Sequence, residues 1–133
     1  MGSIRDVLGS SSAARATAQL DLGAGQAVAV WENQSDRVSY QRASDNVFSL
    51  YLAGGAGTRR VDRRDCTGFP GAICIMPRGH SSEWEVTTAH RFVHLYLPDD
   101  ALKAGFAQIH DCDARRLDLP EVTLVDMPHL IAP

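Results

Sequence analysis

The chain has 133 residues, 44% of them hydrophobic and 22% charged, with a formal charge of −3 at neutral pH. That length suits one domain with one core, which buries roughly two-thirds of the surface its unfolded chain exposes. The charge excludes an electrostatic footprint for direct nucleic-acid binding, and no apolar run approaches the ~18 residues of a membrane span.

Residues 1–20 are mostly small and polar, with Arg5, Asp6 and Arg15 among Ser, Ala and Gly. Such a composition buries too little apolar surface to order itself and predicts a flexible N-terminal arm. It also contains nothing resembling a secretory signal, so the cytoplasm is the expected location.

Residues 21–98 carry short strand-like runs separated by turn residues, the texture of a sandwich or small barrel. The runs are AVAVWE, RVSYQR, VFSLYLA, TRRVD, AICIMP, SEWEV and RFVHLYL. Successive side chains leave a strand on opposite sides, so Ser82, Trp84 and Val86 share one face of SEWEV while Glu83 and Glu85 share the other. Trp84 is expected to point inward. The runs VFSLYL, AICIM and RFVHLYL are apolar on both faces, which predicts strands covered on both sides. Turns fall at AGGAG, FPG and PRG, where glycine supplies positive φ and proline presets a bend.

Residues 99–133 begin a different period. Asp99 can cap a helix, and Leu102, Phe106 and Ile109 recur at helical spacing. A late strand, EVTLVD, follows. Asp126 and Pro128 then start a second helix with little chain left to build it, which implies a natural protein continuing beyond Pro133. The fold class predicted is all-β, a jelly-roll barrel with one or two short C-terminal helices.

Most candidate motifs resolve into ordinary structure. AGGAG lacks the Gly-x-Gly-x-x-Gly spacing and precedes a strand, so it is a hairpin turn and not a phosphate loop. The basic cluster RRVDRRD is interrupted by two aspartates and reads as a solvated hairpin. Cys66, Cys74 and Cys112 are odd in number and widely spaced, and alone they build neither a disulfide framework nor a zinc site. They read as reduced thiols, with Cys74 a small hydrophobe in its strand.

Gly71 to Gly79 fits Gly-x5-Pro-x-Gly, which resembles the first half of the second cupin motif. In metal-binding cupins a histidine ligand falls three positions after the last glycine, and here that position is Ser82. The strands ahead of VDRRD hold no His-x-His either. A metal needs three or four convergent ligands, so no metal and no cofactor are expected. His90 and His94, four apart in one strand, read as hydrogen-bonded residues.

What rises above background is an aromatic and polar set on strands that would line one cavity: Trp31, Tyr51, Ser82, Trp84, His94 and Tyr96. Ligand pockets are mostly apolar with a few polar groups fixing orientation, and buried Tyr, Trp and His want polar partners. His80 joins the set from the Pro-x-Gly corner, where it reads first as a corner residue.

The blocks NVFSLYLAGGAGTRRVD, GAICIMPRGHSSEWEV, RFVHLYLPDDALKAGFA and HDCDARRLDLPEVTLVDMPHL together resemble the N-terminal ligand-sensing half of AraC-type bacterial transcription regulators. The resemblance runs from about Val28 to the end and rests on the order and spacing of the blocks. It implies a cupin-like barrel that senses a small-molecule effector without catalysis. It also implies helices for dimerisation, a homodimer in the full-length protein, and DNA contact only through a C-terminal helix-turn-helix domain. Of the pocket positions, Trp84 carries over best. The rival reading is a small stand-alone cupin enzyme, an isomerase or dioxygenase-like protein.

Overall fold

A computed structural model describes residues 2–62, 66–110, 119–126 and 128. The elements run in the order α1 (Ile4–Ser10), β1 (Arg15–Gly23), β2 (Gln26–Asn33), β3 (Asp36–Tyr40), β4 (Asn46–Gly54), β5 (Thr58–Arg60), β6 (Cys66–Thr67), β7 (Ile73–Met76), β8 (Ser82–Val86), β9 (His90–Leu97), α2 (Asp99–His110) and β10 (Val122–Val125). They form a six-stranded sheet, β1-β2-β9-β4-β7-β10, facing a four-stranded sheet, β3-β8-β5-β6. The architecture is the all-β one predicted, and each predicted run coincides with a strand.

Alternation builds the interior. Ala27, Ala29, Trp31 and Asn33 are the buried residues of β2, and His90, Phe92, His94 and Tyr96 those of β9. The antiparallel register pairs Ala29 with His94 and Ser49 with His94, which sets these side chains in one row across the inner face. From the opposite sheet β8 contributes Ser82, Trp84 and Val86, while Glu83 and Glu85 stay half-buried. The predicted inward turn of Trp84 is what the structure shows.

Cover on both faces holds for β7, whose four residues are all buried. It does not hold for β4, where Leu50 is 39% and Leu52 45% exposed on the outer face. An apolar sequence cannot distinguish a strand covered on both sides from one with an open apolar face.

The largest departure is at the N-terminus. Where composition predicts a flexible arm over residues 1–20, the structure has a helix and a nine-residue strand. Ser3 caps α1, its Oγ accepting from the Asp6 N–H, and Asp6 sits in the first turn where a negative charge suits the helix dipole. Ile4 and Leu8, one turn apart, are both buried against the barrel. The Ser44 N–H donates to the Gly2 carbonyl at 2.9 Å, and Arg5 donates to Gln19 at 2.7 Å and lies 5.7 Å from the centre of the Tyr96 ring. Two well-placed apolar residues suffice to dock seven, a pattern that average composition conceals. Leu8→Ala is expected to cost about 2–3 kcal/mol in urea unfolding; a loss below 0.5 kcal/mol, an estimate on the scale of exposed substitutions, would mean that the helix does not dock.

The expected helix after Pro98 is α2, with Lys103 and Asn46 both bonded to Asp99. The second C-terminal helix falls largely, and Cys112 and the last three residues of RRVDRRD wholly, outside the described residues. Of that cluster, Arg59 pairs with Glu85 and Arg60 with Asp62 and Glu121. No helix among the described residues is long and apolar enough to cross a membrane.

Candidate functional site

The facing sheets leave a cavity of about 40 Å³. In such a measure a water takes about 10–15 Å³, so the space suits about three waters. Its walls include Tyr51, Trp84 and His94 of the predicted set, together with Leu8, Asn33, Ser49, Thr58 and His90. The sequence reading missed Asn33, Ser49 and Thr58 because small polar residues give no periodic signal. Leu8 was missed with its helix.

The other predicted residues stand behind the wall or away from it. Ser82 Oγ accepts from Trp84 Nε1 at 2.9 Å and fixes the indole that lines the cavity. Trp31 Nε1 donates to the Tyr96 hydroxyl at 2.9 Å, and that hydroxyl lies 3.1 Å from His94 Nδ1. Trp31, Tyr96 and Ser82 are thus supports for lining rings. His80 is a corner residue, its Nδ1 2.7 Å from Glu121 Oε2 on the surface.

Of the two buried imidazoles, one has its proton assigned by these contacts. The Tyr96 hydroxyl accepts the indole proton, and toward His94 Nδ1 it can either donate its own proton or accept with its second lone pair, so this bond is compatible with both His94 tautomers. His90 Nδ1 lies 3.3 Å from the Asn33 carbonyl, which can only accept, so the His90 proton is on Nδ1 and Nε2 is an acceptor. Burial keeps both rings neutral, pushing His90 below the usual histidine value and His94 down to about 3. Burial likewise pushes the Cys74 thiol up to about 11, so it stays protonated.

Three buried polar atoms have no hydrogen-bond partner among the described residues: Asn33 Oδ1, Ser49 Oγ and Thr58 Oγ1. All three residues line this cavity. Buried polar groups in folded proteins are nearly always bonded, and each exception asks for a water, an ion or a ligand. Here the exceptions converge.

On the other side of Asn33 and His90 lies an open cleft of about 670 Å³ at the ends of β2, β4 and β9, flanked by Arg15, Glu32 and Arg91. On the far wall the Arg60 guanidinium sits 6.0 Å from the centre of the Trp84 ring. Arg60 holds Asp62 and Glu121, which fastens the corner before β8 to the chain leading into β10. Among the described residues, no three of His, Cys, Asp and Glu are grouped to hold a metal ion.

No protein-family model matches the sequence, and no curated protein does. Solved structures are similar in fold at low identity. The AraC-like transcriptional activator CuxR superposes with a TM-score of 0.56 at 15% identity, over 75% of this chain and 38% of that one. The cupin domain of Schizosaccharomyces pombe Cnp3 gives 0.55 at 15% identity, over 75% and 77%. The Clostridium difficile EutQ protein gives 0.52 at 14%, over 74% and 81%. Two facing antiparallel sheets and the likeness to such structures give the chain a cupin-like fold.

Proposed function

We propose that this domain senses a small-molecule effector for a transcription regulator, binding it in the cavity between the sheets without transforming it. The observation that carries the reading is the convergence of three unpartnered buried polar atoms on a cavity walled by Tyr51, Trp84 and His94. A purely structural core fills such a space with apolar groups, since each unmet polar atom costs about 1–3 kcal/mol. The likeness in fold to an AraC-like activator, of which this chain spans 38%, supports a sensing role with DNA contact made by another part of the protein.

The lining also argues against catalysis. It contains no carboxylate, and burial keeps its two histidines neutral, so no acid–base pair converges on a substrate. A thermal-shift screen of small metabolites tests the reading. A ligand at one hundred times its Kd contributes about 2.7 kcal/mol, which raises Tm by several degrees in a domain of this size. Trp84→Phe is expected to weaken that ligand at least tenfold while the protein stays folded. A ligand consumed on incubation would identify an enzyme, and a screen with no stabilising compound would defeat the sensing role.

A further inference from the structure

The cavity also constrains the chemistry of its occupant. No Arg, Lys, Asp or Glu lines it. The Arg60 guanidinium, 6.0 Å from the centre of the Trp84 ring, is already committed to Asp62 and Glu121. A charged ligand would therefore enter without a counter-charge, and burying an unpaired ion is far costlier than burying a neutral polar group.

The groups on offer are mixed. Asn33 Oδ1 only accepts, because Asn33 Nδ2 is the atom that donates to Asp36, at 3.0 Å. His90 Nε2 is an acceptor by the bond its ring makes through Nδ1 to the Asn33 carbonyl. The Ser49 and Thr58 hydroxyls can do either. Their positions are spread: Asn33 is paired with His90 across β2 and β9, Ser49 with His94 across β4 and β9, and Thr58 begins β5 in the opposite sheet. A carboxylate brings only acceptors and leaves Asn33 unmet. An ammonium brings only donors and finds no carboxylate in the lining to balance its charge.

We propose that the cavity binds an uncharged molecule of about three to five non-hydrogen atoms that both donates and accepts hydrogen bonds, of the amide or short-diol class. The inference rests on the cavity being the effector site and specifies what it selects.

Three probes of one size separate the charge classes: acetamide, acetate and ethylammonium, each titrated at constant ionic strength while the Trp84 indole N–H is followed in ¹H–¹⁵N spectra. Acetamide is expected to shift that signal saturably, and acetate and ethylammonium to leave it in place. Thr58→Val and Ser49→Ala, which remove only polar atoms, are each expected to weaken acetamide at least fivefold with the spectrum otherwise preserved. Saturable shifts by acetate or ethylammonium would overturn the charge class and leave the sensing role standing. Unchanged acetamide binding in both variants would place its site elsewhere. No response to any probe would overturn the class; the metabolite screen then decides separately whether a different effector exists.

Discussion

Arg60→Ala is expected to lower the unfolding free energy by about 3–5 kcal/mol, the range for removing one member of a buried ion pair. The side chain is 2% exposed. Its Nε and Nη2 donate to Asp62 at 2.8 and 3.1 Å, Nη2 to the Ser81 carbonyl at 3.1 Å, and Nη1 to Glu121 and, at 3.1 Å, to Thr123. Alanine would strand two carboxylates that remain largely covered, Glu121 at 12% and Asp62 at 25% exposure. It would also release the chain leading into β10 from the corner before β8 and remove the cation beneath Trp84. Arg60→Lys is expected to recover less than half the loss, because one ammonium cannot span partners that a planar fork reaches on two sides. Urea unfolding at neutral pH measures both. A loss under 1 kcal/mol for alanine, an estimate on the scale of exposed pairs, would mean that solvent replaces the guanidinium. The same variant frees Asp62, whose carboxyl Arg60 holds down to about 2. That stabilisation is present above the unfolded carboxylate value and lost as pH falls through about 2, so it disappears from the acid limb of the variant.

The strands were legible because their signal is local and periodic. SEWEV declares its inward face through two glutamates, and Trp84 follows. What failed to show was whatever depends on partners distant in sequence. Trp31 and Tyr96 look like pocket walls from their types and parity; only the folded neighbourhood of β2 and β9 shows that the indole bonds the Tyr96 hydroxyl, which in turn contacts His94. Asn33, Ser49 and Thr58 carry no aromatic or charged label, and their importance lies in lacking a partner. Arg60 sits in a run that reads as a solvated charged hairpin, yet its alternate position in β5 turns it inward beside Trp84. At the N-terminus the spacing of Ile4 and Leu8 behind the Ser3 cap was a usable helix signal, outweighed by the polar residues around it. The distant similarity to solved structures reaches the fold alone; the proposed sensing role rests on the sequence blocks and the cavity lining.

Stability is expected to fall as pH drops from about 6.5, well before the carboxylates titrate. His94 is buried and neutral, with its protonation pushed down to about 3 by loss of hydration first and by His90 second. In the unfolded chain the same ring titrates near 6.5. Between those values the unfolded state binds a proton that the folded state refuses, and stability declines by about 1.4 kcal/mol per pH unit for each such group. From pH 6.5 to 4.5 His94 alone accounts for about 2–3 kcal/mol, and His90, shifted the same way by burial, adds to it. Asp62 and Asp99 are held below the ordinary carboxylate value, so their stabilisation is complete above about pH 4 and is lost below it, outside this window. Above pH 7 neither histidine contributes a slope. His94→Gln keeps a polar group near Tyr96 but cannot take up a proton, and it is expected to reduce the slope between pH 6.5 and 4.5 by at least half. Urea midpoints at half-unit steps measure both proteins. A midpoint for the unmodified protein that stays level down to pH 4.5 would mean that His94 accepts a proton in the folded barrel, and with it the neutral lining would be lost.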